Sequence, residues 1–356
     1  MTSVGASIVA WSQASLRRKL LLPWGALATV IVILVLAIAQ NFIGQAITEI
    51  VRPDPICPLT GLRATGDAVP ARPALAVKIE NSPLARPQAG LNDADIVYEE
   101  PVEGGITRFI ALYQCADVDR LGPVRSARTT DPDVLVQYGA PLLAYSGGAG
   151  EVVRLIRDST LLDVGFETNQ DLYERDPARE APHDVFSSTA VLWGGATWPA
   201  EAPDPVFAYD AAAPTAAKRA AKVHLDFAGS SDVWWAWDPS GGVWLRSHGD
   251  VPHTLEGGEQ VSATTVVVQV VEVRPGTIID AAGNPSPEVT LVGSGKAYVF
   301  RDGLVVVGRW VRDSLDQVTR FEDASGNEIA LAPGRTWVEL LPSTVPVEIV
   351  RKAPAA

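Results

Sequence analysis

Cysteine is nearly absent from this 356-residue chain: there are two, Cys57 and Cys115, and no Cys-x-x-Cys pair. That excludes a cysteine-built zinc or iron–sulfur centre. Histidine is almost as scarce, at four residues, and the spacing of His248, Asp250 and His253 in a loop is a weak metal signal. No metal and no cofactor are expected. Walker and G-x-G-x-x-G phosphate loops are missing too. Surplus basic charge is also lacking, since the net charge is -13. A body this acidic argues against nucleic acid as a partner of its general surface.

Acidic residues are missing altogether from the first 40 positions, which hold Arg17, Arg18 and Lys19. Directly after them, residues 20–39 (LLLPWGALATVIVILVLAIA) are apolar except for Thr29. Twenty such residues match the hydrocarbon core of a bilayer, and the basic cluster before them keeps the amino terminus in the cytoplasm. The expected layout is a cytoplasmic tail at 1–19, a single-pass anchor in the cytoplasmic membrane at 20–39, and an extracytoplasmic remainder. A cleaved signal peptide is the competing expectation, because Ala37-Ile38-Ala39 offers a small-x-small site. Outside the cytoplasm Cys57 and Cys115 could form a disulfide tying the start of the domain to the central hairpin; two separate buried thiols are the alternative.

The whole chain is 47% hydrophobic and globular in composition. Residues 40–73 read as a stalk and entry loop, 74–198 as an α/β domain, the proline-rich 199–220 as a linker, and 221–351 as a β-rich domain. The expected fold class is mixed α/β (α+β), a mixed-sheet domain followed by a smaller β-rich one. Asp131, Pro132 and Gly139 mark a capped helix, with Asp131 as its N-cap. A strand at 141–145, the loop Ser146-Gly147-Gly148-Ala149-Gly150 and a helix to Asp158 form an arrangement whose backbone N–H groups can hold an anion, or simply a tight turn. In the carboxy-terminal part, Trp234, Trp235, Trp237 and Trp244 offer either sugar-stacking faces or, by strand alternation, core.

The most charged stretch of apparent strand is 95–128. Glu99 and Glu100 are adjacent, so they point to opposite faces and form no dyad. If Gly104-Gly105 is a two-residue turn, Glu99 faces Ile110, Glu100 faces Phe109, and Arg108 lies diagonal to Glu99 on its face. A slip of one residue would move every side chain to the other face. Charges in strands so apolar need partners. Arg125 and Arg128 could hold a carboxylate or phosphate, or pair structurally with Asp131 or Asp133. His183 sits in a loop among arginines, where it could transfer protons or simply be hydrogen-bonded. Candidate ligand-binding residues are therefore Glu99, Arg108, Arg125, Arg128, Ser146 and His183; no catalytic set can be assembled.

Several long ordered motifs resemble one family. CPLTG (57–61), ALAVKIENSP (74–83), ARPQAGLNDADIVYEEPVEGGITRF (85–109), GPVRSAR (122–128), AYSGG (144–148), APHDVF (181–186), GKAYVFRDG (295–303) and LAPGRTWVELLP (331–342) are similar to the YerB-like family of bacterial extracytoplasmic proteins, often lipoproteins, of unassigned function. The resemblance implies a mixed α/β amino-terminal domain and a smaller β-rich carboxy-terminal one, and supplies no reaction. This chain departs from lipoprotein relatives in carrying an apolar span and no lipobox cysteine. Two functions stand: a membrane-anchored binding or assembly module contacting a cell-envelope component or protein partner, or an envelope hydrolase or transferase with an Arg/Glu/His cleft.

Overall fold

β-Branched and aromatic runs separated by Gly and Pro turns dominate the body, and the computed structural model shows them paired, among the described residues, into two large sheets and two small two-stranded ones. It describes residues 22–50, 54–215, 217–227, 229–280 and 283–351. Two units are distinguished, 1–54 and 55–356. In the first, α1 spans Leu22–Ile50, and its described side chains, 28–42, are exposed except for half-exposed Ala39. Among the described residues no helix is long and apolar enough to cross a membrane. The expected span 20–39 falls partly outside those residues, so its anchoring role rests on the sequence.

The principal strands of the body are β1 (Leu75–Glu80), β2 (Ile96–Pro101), β3 (Thr107–Tyr113), β4 (Leu142–Ala144), β5 (Leu162–Asp163), β6 (Lys222–Asp226), β7 (Asp232–Asp238), β8 (Val243–His248), β9 (Thr265–Val271), β10 (Gly293–Arg301), β11 (Leu304–Arg312), β12 (Arg320–Glu322), β13 (Thr336–Pro342) and β14 (Glu348–Val350). The short strands Val251–Pro252 and Ser262–Ala263 pair with β8, and Val273–Ile279 with Pro285–Val289 and Glu174–Arg175 with Val185–Phe186 form separate ribbons. The main sheet is eleven-stranded, ordered β12-β11-β10-β9-β13-β2-β3-β1-β4-β5, with Lys218–Arg219 paired to β11. The parallel ladder between β2 and β13 joins strands from before the proline-rich stretch to strands from after it. Within that stretch Val206 and Phe207 are buried, and Tyr209 bridges Leu331. A second sheet of six strands, built on β8-β7-β6-β14, covers one face of the first.

Three helices complete the body: α2 (Thr130–Leu135), α3 (Gly150–Asp158) and α4 (Thr189–Gly194, capped by Ser188 Oγ accepting from Val191 N at 3.3 Å). The body is thus a sheet-rich mixed α+β fold with few helices. Alternation divides its core in two. Val77, Phe109, Val97 and Trp337 face the second sheet, whose Trp235 and Trp244 are fully buried against them. Ala76, Tyr98, Ile110 and Leu112 face α2 and α3. Each large buried side chain contributes roughly 1.5–3 kcal/mol by leaving water. Core is what Trp235 and Trp244 are; Trp234 stacks on His224 with ring centroids 4.2 Å apart.

Two local expectations are corrected. The β2–β3 connection is not a two-residue turn: Pro101 pairs with Thr107, and residues 102–106 form a loop with both Gly104 and Gly105 at positive φ. The extra residues slip the register, so Glu99 faces Phe109 and Glu100 faces Arg108. Arg108 therefore shares the face of Glu100, not that of Glu99. Asp131 is not the cap of α2 but lies inside it; its Oδ1 is buried on Lys78, and Oδ2 accepts from Arg128 N at 2.7 Å.

Candidate functional site

The segment 122–128 positions the site by lying between β1 and the glycine loop. Arg125 N donates to Lys78 O at 2.8 Å, Ser146 N to Arg125 O at 3.0 Å, and Ala127 N to Gly147 O at 3.0 Å. Gly147 adopts φ +84°, and a Cβ there would sit 3.0 Å from Ser126 Oγ, so a side chain would be strained and crowded. The ribbon carries Arg125, Ser126 and Arg128 to the edge of the helix-side face, where β1 ends in Glu80 and β3 presents Arg108.

Ser126 is the meeting point of the three arginines. Its carbonyl accepts from Arg108 Nη1 at 3.3 Å and from Arg128 Nη1 at 3.5 Å, and its hydroxyl accepts from Arg125 Nη1 at 3.5 Å. Two of the cations have carboxylates. Arg128 donates from Nε and Nη2 to Glu103 Oε2 at 2.9 and 2.5 Å, and Ser286 donates to the other oxygen. Burial works against the Glu103 anion, but the hydrogen bonds from Arg128 and Ser286 outweigh it and hold the group below its ordinary value. Arg125 Nε stands 3.3 Å from Glu80 Oε2, the oxygen that also lies 2.7 Å from His183 Nδ1.

Arg108 differs. It is 6% exposed, its Nε has no hydrogen-bond partner, and among the described residues no carboxylate makes an ion pair with it. Burial, then the neighbouring charges of Arg128 and Arg125, pushes its guanidinium down to about 10, still protonated at neutral pH. Arg108, Arg125 and Arg128 thus outnumber the paired carboxylates Glu80 and Glu103. Beside Arg128 is a cavity of about 280 Å³ whose wall includes Ser126, Gly148 and Ala149 at the start of α3 together with Glu103 and Asp280; Arg108 and Arg125 stand behind Ser126 and do not line it. Half-buried Ser146 lies in the same loop.

Five of the six candidates from sequence (Arg108, Arg125, Arg128, Ser146 and His183) come together here. Glu99 does not: it lies on the other face, fully buried, accepting from Arg246 Nη2, from Thr107 Oγ1 at 2.6 Å and from Asn81 Nδ2 at 3.3 Å. Glu80 and Ser126, which organise the cluster, escaped notice because neither sits in a recognisable spacing. Lys78, within ALAVKIE, was the legible signal of a buried charge. Its Nζ meets Glu100 and Asp131, and all three are fully buried. Arg246 was missed as well; its Nη1 donates to His248 Nε2 at 2.9 Å and His253 Nδ1 at 2.8 Å. Burial and that guanidinium press both imidazoles below their usual range and occupy the lone pairs a metal would need.

Residues 59–199 match the amino-terminal domain, and residues 223–338 the carboxy-terminal domain, of a protein family of unknown function, DUF3048. The chain is 28% identical over 295 residues to the "Putative lipoprotein YerB" of Bacillus subtilis (strain 168), covering 80% of this chain and 86% of that one. The crystal structure of YerB from Bacillus subtilis superposes with a TM-score of 0.70 at 24% identity, covering 82% of this chain and 99% of that one, which shows the shared fold.

Proposed function

From the premise that the chain belongs to the DUF3048 family of proteins of unknown function, we propose that it is a membrane-anchored extracytoplasmic module that binds an anionic group of a cell-envelope component through Arg108, Arg125 and Arg128. The surplus guanidinium carries the proposal. A buried arginine without a carboxylate is costly, and an anion entering beside Ser126 would offset that cost through charge-assisted hydrogen bonds. Phosphate and carboxylate both suit a fork of planar donors. The anchor is supported by the apolar run 20–39 after Arg17-Arg18-Lys19 and by the lipoprotein name of the Bacillus subtilis relative.

An envelope hydrolase or transferase would need a nucleophile against His183. Among the described residues its ring hydrogen-bonds to Glu80, and the nearby Ser82 hydroxyl also donates to Glu80, at 3.1 Å, rather than to the ring. Binding is therefore preferred to catalysis. Calorimetric titration of the full-length chain in detergent with inorganic phosphate and, separately, acetate tests it. Saturable binding that weakens at least tenfold in Arg125→Gln and Arg128→Gln is expected, the stronger anion naming the ligand's chemistry. Two anions that both fail to saturate the wild-type chain, or variants that bind as it does, overturn it.

A further inference from the structure

Lys78 on β1, Glu100 on β2 and Asp131 in α2 are brought together from three elements onto the helix-side face of the main sheet. None exposes any surface. Lys78 Nζ donates to Glu100 Oε1 and, at 2.5 Å, to Asp131 Oδ1. The trio therefore encloses two carboxylates around one amine, and low polarity does not tolerate the surplus negative charge. Burial raises the Glu100 carboxyl above its ordinary value and so favours its neutral form, with Lys78 opposing and the charge of Asp131 adding to the rise. Glu100 Oε2 has no hydrogen-bond partner. Asp131 is held from its far side, where Oδ2 accepts from Arg128 N. An amine, a fixed carboxyl group and a neutral acid in contact, sealed from water, are the parts of an amide-forming reaction.

We propose that Lys78 and Asp131 become joined by an intramolecular isopeptide bond, with Glu100 as the proton carrier. In the sealed site the proton of the Lys78 ammonium passes to Asp131, leaving a neutral amine and a neutral carboxylic acid. The amine lone pair forms the Nζ–Cγ bond. Glu100 accepts a proton from the nitrogen and delivers one to the departing hydroxyl, the Cγ–O bond breaks, and one water leaves. Glu100 ends protonated as it began, and nothing is oxidised or reduced. The oxygen retained is Oδ2, so the Arg128 N–H keeps its acceptor. The remaining amide N–H donates to Glu100, and the enclosed ion pair is gone.

Peptide mass analysis of the full-length chain, digested after reduction of the disulfide, tests this directly. A branched peptide uniting the segments that contain Lys78 and Asp131, lighter than their sum by one water, is expected. Finding both segments only as separate linear peptides in folded wild-type protein overturns the bond, so the result does not depend on any variant folding. Asp131→Ala is expected to lose the branched peptide completely. Glu100→Gln is expected to lose most of it; a Glu100→Gln chain that forms the bond in full overturns the role of Glu100.

Discussion

Arg246 of β8 reaches across from the second sheet and donates through Nη2 to both carboxylate oxygens of Glu99 on β2, at 2.9 and 2.8 Å, with both side chains wholly buried. This pair pins one sheet to the other in register. Glu339 of β13 lies beside Glu99 across the parallel ladder and accepts from Trp235 Nε1 at 2.7 Å. Burial, then the charge of Glu99, raises Glu339 well above its ordinary value, while Arg246 and the Trp235 N–H oppose.

Removing one partner strands the other. Arg246→Met is expected to cost about 3–5 kcal/mol by leaving Glu99 uncompensated, whereas Arg246→Met with Glu99→Met should recover part of the loss. Urea unfolding of the three chains checks it. A single substitution that costs nothing would contradict the pinning role.

The β2–β3 loop packs against the turn between β6 and β7, where Gly105 meets Gly229. Gly229 has φ +63°, and a Cβ there would lie 2.2 Å from Gly105 O. Gly104 has φ +76° and nothing within 4 Å of its missing Cβ. Gly104→Ala should cost only the left-handed backbone penalty, about 1–2 kcal/mol, and Gly229→Ala clearly more, because rigid backbone stands in its way. Thermal unfolding of both variants would show the order.

Cys57 and Cys115 are bonded across a separation of 58 residues, tying the entry loop to the end of β3 as one of the two sequence expectations had it. Closing a loop of that length restricts the unfolded chain by about 4 kcal/mol in the chain-entropy account. Denaturation with and without reductant should differ by up to about that amount, and Cys115→Ser should remove the difference.

Asp95 is buried and its carboxyl is pushed up to about 6, chiefly by burial, with the Gln114 N–H opposing. A folded state that holds its proton more tightly than the unfolded one loses stability as pH rises from the ordinary carboxylate value towards about 6. Against Asp95→Asn, wild-type stability should therefore fall between about pH 4 and about pH 6 and run parallel above it. Parallel curves throughout would sink the assignment.

Much of the fold was legible because strand and turn chemistry is local. The Asp302-Gly303 turn between β10 and β11 and the opposed faces of Glu99 and Glu100 follow from neighbouring residues alone, whereas local sequence offers Ser187 or Ser188 as the start of α4 and the structure places the cap at Ser188. Register was less secure. Two adjacent glycines suggested a short turn, but a five-residue loop shifted the partners of Glu99 and Glu100 by one residue, and nothing in the local sequence chooses between these closures. The arginine cluster was half legible: its residues could be named, while its organiser Glu80 and the lone burial of Arg108 could not.

Composition and order by themselves determined the apolar run, the acidic body, the alternating strands and the family motifs, since each rests on spacing within a few residues. Tertiary structure alone decided which charges meet. Arg246 finds Glu99 from 147 positions away, and Lys78 finds Asp131 from 53. Such pairings depend on how strands stack into sheets, where an electrostatic partner is selected by distance in space and by exclusion of water, neither of which is written along the chain.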